Sequence, residues 1–175
     1  MAASLFAAAS NGELETLEAL AKGGADLDYV APAVGKTAMH FAADKGQLDA
    51  VQWLAQAGAS KEKLDNSGQT PLYTAVVSHR VSVVQYLFEQ GCDVDTPDNA
   101  GVTPLHVAAK LGRLGTVQFL CEQGSADKDQ PANGGARSEF AKLFLVLVAS
   151  ILRYPSPVQQ VAHRSCLQRR TATWT

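Results

Sequence analysis

Side chains able to do chemistry are few in this chain and widely spaced. Its four histidines are His40, His79, His106 and His163, and its three cysteines are Cys92, Cys121 and Cys166. A histidine acting as a general base needs a nucleophile or a carboxylate partner within reach. His79 and His163 are isolated, and no Ser-His-Asp or Cys-His arrangement can be argued. An odd, sparse set of cysteines without close pairs indicates neither a disulfide framework nor a zinc site. They read as reduced thiols, which sets the expectation of a cytoplasmic or nuclear protein. Asp93, Asp95 and Asp98 invite comparison with a calcium loop, but the interval lacks the Gly and the terminal Glu of an EF-hand. Gly134-Gly135 is not followed by the Lys-Ser/Thr of a phosphate-cradling loop. No catalytic, cofactor-binding or metal-ligating residue is therefore expected, and the chain does not read as an enzyme.

Composition narrows the remaining classes. Hydrophobic residues make up 46% of the 175 residues and charged residues 18%, enough apolar material for a core. The 15 basic and 17 acidic residues nearly cancel, leaving −2, so no overall field favours nucleic acid. No Lys or Arg precedes Lys22, so the basic start of a secretory signal is not expected. The longest uncharged apolar stretch, Leu143 to Leu152, is about half of the ~20 residues that cross a bilayer as a helix.

The organising feature is a repeat. Thr37-Ala38-Met39-His40 recurs as Thr70-Pro71-Leu72-Tyr73 and as Thr103-Pro104-Leu105-His106, at an offset of 33 residues each time. Val51-Gln52-Trp53-Leu54 recurs at the same offset as Val84-Gln85-Tyr86-Leu87 and Val117-Gln118-Phe119-Leu120, and Gly58, Gly91 and Gly124 follow in phase. An earlier copy, with Ala8-Ala9 for Ala42-Ala43 and Gly24 for Gly58, is offset by 34, which places one extra residue in the loop Tyr29 to Gly35. A period of this length is the mark of stacked units that cannot bury their apolar faces singly. Each Thr-Pro start places a capping hydroxyl ahead of a proline that fits the first helical position. Leu72, Ala75 and Val76 then form an apolar stripe on a first helix, as do Val84, Leu87 and Phe88 on a second. Small residues such as Ala42, Ala43, Ala75, Ala108 and Ala109 let first helices approach closely. Gly46 and Gly112 fall where a first helix must end in a left-handed turn.

These motifs resemble the ankyrin repeat. Asp98-Asn99-Ala100-Gly101-Val102-Thr103-Pro104-Leu105-His106-Val107-Ala108-Ala109 follows its Asp-x-x-Gly-x-Thr-Pro-Leu-His-x-Ala-Ala pattern almost fully, and the likeness covers about residues 1–130. The resemblance implies an all-α solenoid of helix-turn-helix repeats joined by β-hairpin-like loops. The units fall at about 1–31, 32–64, 65–97 and 98–130, within a domain spanning 1–135. It also implies a structural role for His40 and His106, hydrogen-bonded to loop backbone, with Tyr73 standing in between them. Two histidines two repeats apart share no site. Trp53, Tyr86 and Phe119 are one repeated core position rather than a base-stacking platform, and Cys121 lies on a packed helix face. Departures are local: His79 replaces a turn glycine, and Pro32-Ala33-Val34 stands where Asp-x-x is expected.

Phase is lost at Ala136. Residues 1–135 carry 9 basic and 16 acidic residues, a balance of −7, whereas 136–175 carry 6 and 1, a balance of +5. Three readings of this tail stand side by side. The first is a cap helix over about 138–152, covering the last repeat and followed by disorder. The second is a membrane- or partner-binding segment over 140–170, using its apolar run and basic end. The third is a frameshift or retained-intron extension of an interrupted repeat.

Without a reactive constellation, function is expected in binding. The resemblance implies that partners touch the hairpin tips and the exposed side of each first helix. Those positions are Lys36, Asp44 and Lys45; then Asp65, Asn66, Ser67, Gln69, Val77 and Ser78; then Asn99, Ala100, Val102, Lys110 and Leu111. They differ between repeats, as recognition without disruption of the fold requires. The expected protein is a monomeric, non-catalytic adaptor or inhibitor without cofactor. It would bind a protein partner through its concave face, and a membrane-tethered adaptor using the tail is the alternative.

Overall fold

A computed structural model describes residues 2–122 of the chain. Expectations about Gly124, Gly134-Gly135, His163, Cys166 and the tail, including the cap helix over 138–152, lie outside the described residues, as does the side chain of Cys121. Eight helices follow in order: α1 (Ala2–Asn11), α2 (Leu14–Lys22), α3 (Ala38–Lys45), α4 (Leu48–Gln56), α5 (Pro71–Val77), α6 (Val81–Glu89), α7 (Pro104–Lys110) and α8 (Leu114–Glu122). Among the described residues there is no strand.

Each helix forms for a reason visible in its residues. Thr70 and Thr103 have extended backbone, and their hydroxyls accept the amides of Tyr73 (3.1 Å) and His106 (3.4 Å). Pro71 and Pro104 fill first positions whose amides have no partner within the helix. In α3, Ala38 takes the proline's place, and the Thr37 amide donates to His40 Nδ1 (3.2 Å). The first helices end in left-handed turns at Gly12, Gly46 and Gly112, and at the non-glycine His79 (φ 58°).

The helices form two layers. The odd-numbered helices pack in sequence, α1 on α3, α3 on α5 and α5 on α7, over more of their length than α2, α4, α6 and α8 do. Buried alanines at 8, 9, 42, 43, 75, 108 and 109 permit that closeness. Tighter packing in one layer curves a stack toward it, which puts the odd helices on the inner, concave side. In α5, with neighbours on both flanks, Pro71–Val76 are all buried. Val51, Leu54, Val84, Leu87, Val117 and Leu120 of the outer helices complete one continuous core. Trp53, Tyr86 and Phe119 are only partly buried and pack against this core, Phe119 standing edge-on to Phe88 at 5.4 Å.

Backbone-paired turns join the units. Asp65 N–H donates to Gln69 O (3.0 Å) and Asp98 N–H to Val102 O (2.9 Å). In the first such loop the bond runs from Ala31 N–H to Lys36 O (2.8 Å) and encloses one more residue. Pro32 holds the position of Asp65 and Asp98 but has no amide hydrogen, so the pairing moves one residue upstream. That step accommodates the 34-residue first period.

Candidate partner-binding surface

Residues three and four apart share a helix face. Phe41, Asp44 and Lys45 on α3 are matched by Thr74, Val77 and Ser78 on and just beyond α5, and by Val107, Lys110 and Leu111 on and just beyond α7. In these nine positions only Thr74 is buried. Val77 is 37% and Leu111 41% exposed, so neither is consumed by the contact between adjacent first helices. Asp44 is tied to the next repeat. Ser78 Oγ donates to its Oδ1 (2.6 Å), Lys45 Nζ lies 3.2 Å from Oδ2, and Arg80 Nε donates to its backbone carbonyl (3.0 Å). Burial works against the charged form, but the bonds from Ser78 and Lys45 outweigh it and hold the carboxyl below its ordinary range.

The hairpin tips stack in register. Asn66 N–H donates to Val34 O (3.1 Å) and its side-chain amide to Ala33 O (3.4 Å); Asn99 repeats this with Ser67 O (2.9 Å) and Asn66 O (3.0 Å). Asn66, Ser67, Asn99 and Ala100 are exposed, while Lys36, Gln69 and Val102 are half-buried. Asp65 differs from its expected place at the surface. It is 8% exposed, and its Oδ1 accepts the amides of Ser67 (2.8 Å) and Gln69 (2.9 Å). The carboxylate builds the turn and does not face outward.

The histidines are structural parts of the same loops. His40 is fully buried, with Nδ1 facing the Thr37 amide and Nε2 3.0 Å from Gln69 O. A carbonyl can only accept, which assigns the proton to Nε2. Burial, partly offset by the Gln69 carbonyl and Asp65, holds the ring's pKa below its ordinary value. A ring with both nitrogens engaged has no free site for proton transfer. His106 meets Thr103 in the same way, Nδ1 to Oγ1 at 2.7 Å, and burial depresses its pKa too. Tyr73 replaces the histidine and donates its hydroxyl to Asp98 Oδ2 (3.0 Å); burial, followed by that bond, pushes its pKa up. Cys92 is a buried free thiol whose pKa burial raises to about 11. Among the described residues no group of three His, Cys, Asp or Glu could hold a metal.

A family model described as ankyrin repeats (3 copies) matches residues 5–98 and 61–132, more than half of the chain. The chain belongs to the ankyrin-repeat family. No curated protein matches it. Ankyrin repeats generally mediate protein–protein interaction and are typically non-catalytic, and their presence implies protein partners. Among the described residues no helix is long and apolar enough to cross a membrane.

Sequence reasoning missed one group on this ankyrin surface. Phe6 lies 5.1 Å from Phe41 and 6.1 Å from Tyr29, centroid to centroid, and Tyr29 is 41% exposed. Phe6 occupies the position of His40 in the earlier unit. An aromatic there, where later repeats carry a hydrogen-bonding ring, was the available signal.

Proposed function

We propose that this ankyrin-repeat chain is a non-catalytic adaptor or inhibitor that grips a protein partner through the concave face and hairpin tips. The observation that carries the reading is the exposure of Val77 at the end of α5 and of Leu111 just beyond α7, on inner helices whose other apolar residues are mostly buried. Folding does not use these side chains fully, and water-exposed apolar area of this kind is what an interface removes from solvent. Fixed hairpin stacking supports the same reading, because a rigid surface loses little entropy on binding. Affinity capture from the native cell extract tests it, with the full chain compared against a Val77→Asp plus Leu111→Asp variant. Partners lost with the variant support the concave face; partners retained undiminished place the interface elsewhere.

A further inference from the structure

Charge and apolarity change together along the row where each inner helix turns into its outer helix. The first unit presents Ser10, Asn11 and Glu13; the second Asp44, Lys45 and Gln47; the third Val77, Ser78 and Arg80; the fourth Lys110, Leu111 and Arg113. Formal charge therefore steps from −1 through 0 and +1 to +2. Apolar side chains are absent from the row in the first two units. They enter with Val77 and continue with Leu111. The hairpin tips do not share this step, carrying Lys36 in the second unit and Asp65 and Asp98 in the third and fourth; Asp65 is buried, and Asp98 accepts the amides of Ala100 and Val102 and the Tyr73 hydroxyl.

Arg80 makes a structural bond, its Nε donating to the Asp44 carbonyl at the end of α3. Gln47 makes the same bond to the Ser10 carbonyl (3.1 Å) with a neutral side chain, so the fold calls for a donor at this position and not for a positive charge. Helix stability does not demand the charge either. Arg80 is the N-cap of α6 and Arg113 directly precedes α8, at helix ends where the macrodipole disfavours a cation. Glu13, the N-cap of α2, has the sign that the dipole prefers. Asp44 in the last turn of α3 shows equally that a basic residue is not required at the position of Lys110. The two arginines stand in a described region, residues 2–122, that holds 8 basic and 14 acidic residues. A local positive surface on an acidic body selects its complement.

We propose that the partner presents an acidic segment carrying a large apolar side chain, and that it seats on the α5–α8 end of the inner face. This deepens, and rests on, the reading of the concave face as the binding surface. Carboxylates would meet Arg80, Lys110 and Arg113, and the apolar group would cover Val77 and Leu111.

The test selects binders to the full chain from a displayed library of random peptides, then measures selected peptides by fluorescence polarisation. Enrichment of Asp and Glu around Leu or Phe is expected. Replacing those acids by Lys should weaken binding about tenfold or more, and the difference should shrink as salt is raised. Lys110→Glu should weaken the acidic peptide about tenfold, while Glu13→Lys at the opposite end should leave it unchanged, both variants keeping the parent circular dichroism. Peptides that lose binding with Val77→Asp plus Leu111→Asp but show no acidic bias overturn this inference and leave the concave-face reading standing. Peptides indifferent to that variant overturn the reading itself. Absence of any enriched pool, or a duplex DNA oligonucleotide that binds as tightly as the acidic peptide and competes with it, overturns the inference.

Discussion

His79 holds a left-handed backbone (φ 58°) at the turn where the matching positions are Gly12, Gly46 and Gly112. Its side chain is exposed, so no packing offsets the strain. A non-glycine residue in this conformation costs on the order of 1 kcal/mol, somewhat less for His than for a β-branched residue. Glycine also loses more entropy on folding, which takes back part of the gain. His79→Gly is accordingly expected to raise stability by about 0.5–1 kcal/mol, read as a higher urea midpoint at an unchanged slope. A lower midpoint would mean that His79 makes a contact worth more than its strain.

At the scale of elements, the hairpin stack is where small residues are enforced by a neighbour. A Cβ on Gly68 would stand 2.8 Å from the Asn99 backbone nitrogen, whereas one on Gly58 would meet open space. Both glycines have positive φ. Gly58→Ala therefore isolates the conformational cost of about 1 kcal/mol, and Gly68→Ala adds displacement of the next hairpin, for about 2 kcal/mol or more in total. Equal losses in chemical denaturation would show that the tips yield without resistance. The helix pairs and their buried faces were legible in the sequence because Thr-Pro starts, stripes and glycines recur in phase. Two details of the surface were not. Asp65 looked like a polar tip residue, since its burial comes from the two amides it accepts within its own turn. The Phe6–Tyr29–Phe41 cluster joins two helices to a loop of irregular length, so the phase marks only Phe6, at the position of His40, and not the contacts it makes.

Across the whole molecule, each unit touches only its neighbours, and cooperativity rests on the interfaces between them. Leu72 is fully buried in α5, the inner helix flanked by α3 and α7. Its truncation to alanine removes contacts and leaves a cavity, for a loss of about 2–5 kcal/mol. In a globular core such a loss lowers the whole transition together. In a stack it weakens the third unit and the couplings on both of its flanks, so the ends part company. Native-state hydrogen exchange on Leu72→Ala should show α5–α8 amides exchanging through a lower-energy opening while α1–α4 keep more protection. The acidic peptide bound at the α5–α8 end would then restore protection there first, because a ligand stabilises only the state that binds it. Uniform loss of protection from α1 to α8 would show instead that the units fold as one, and that recognition at one end is felt at the other.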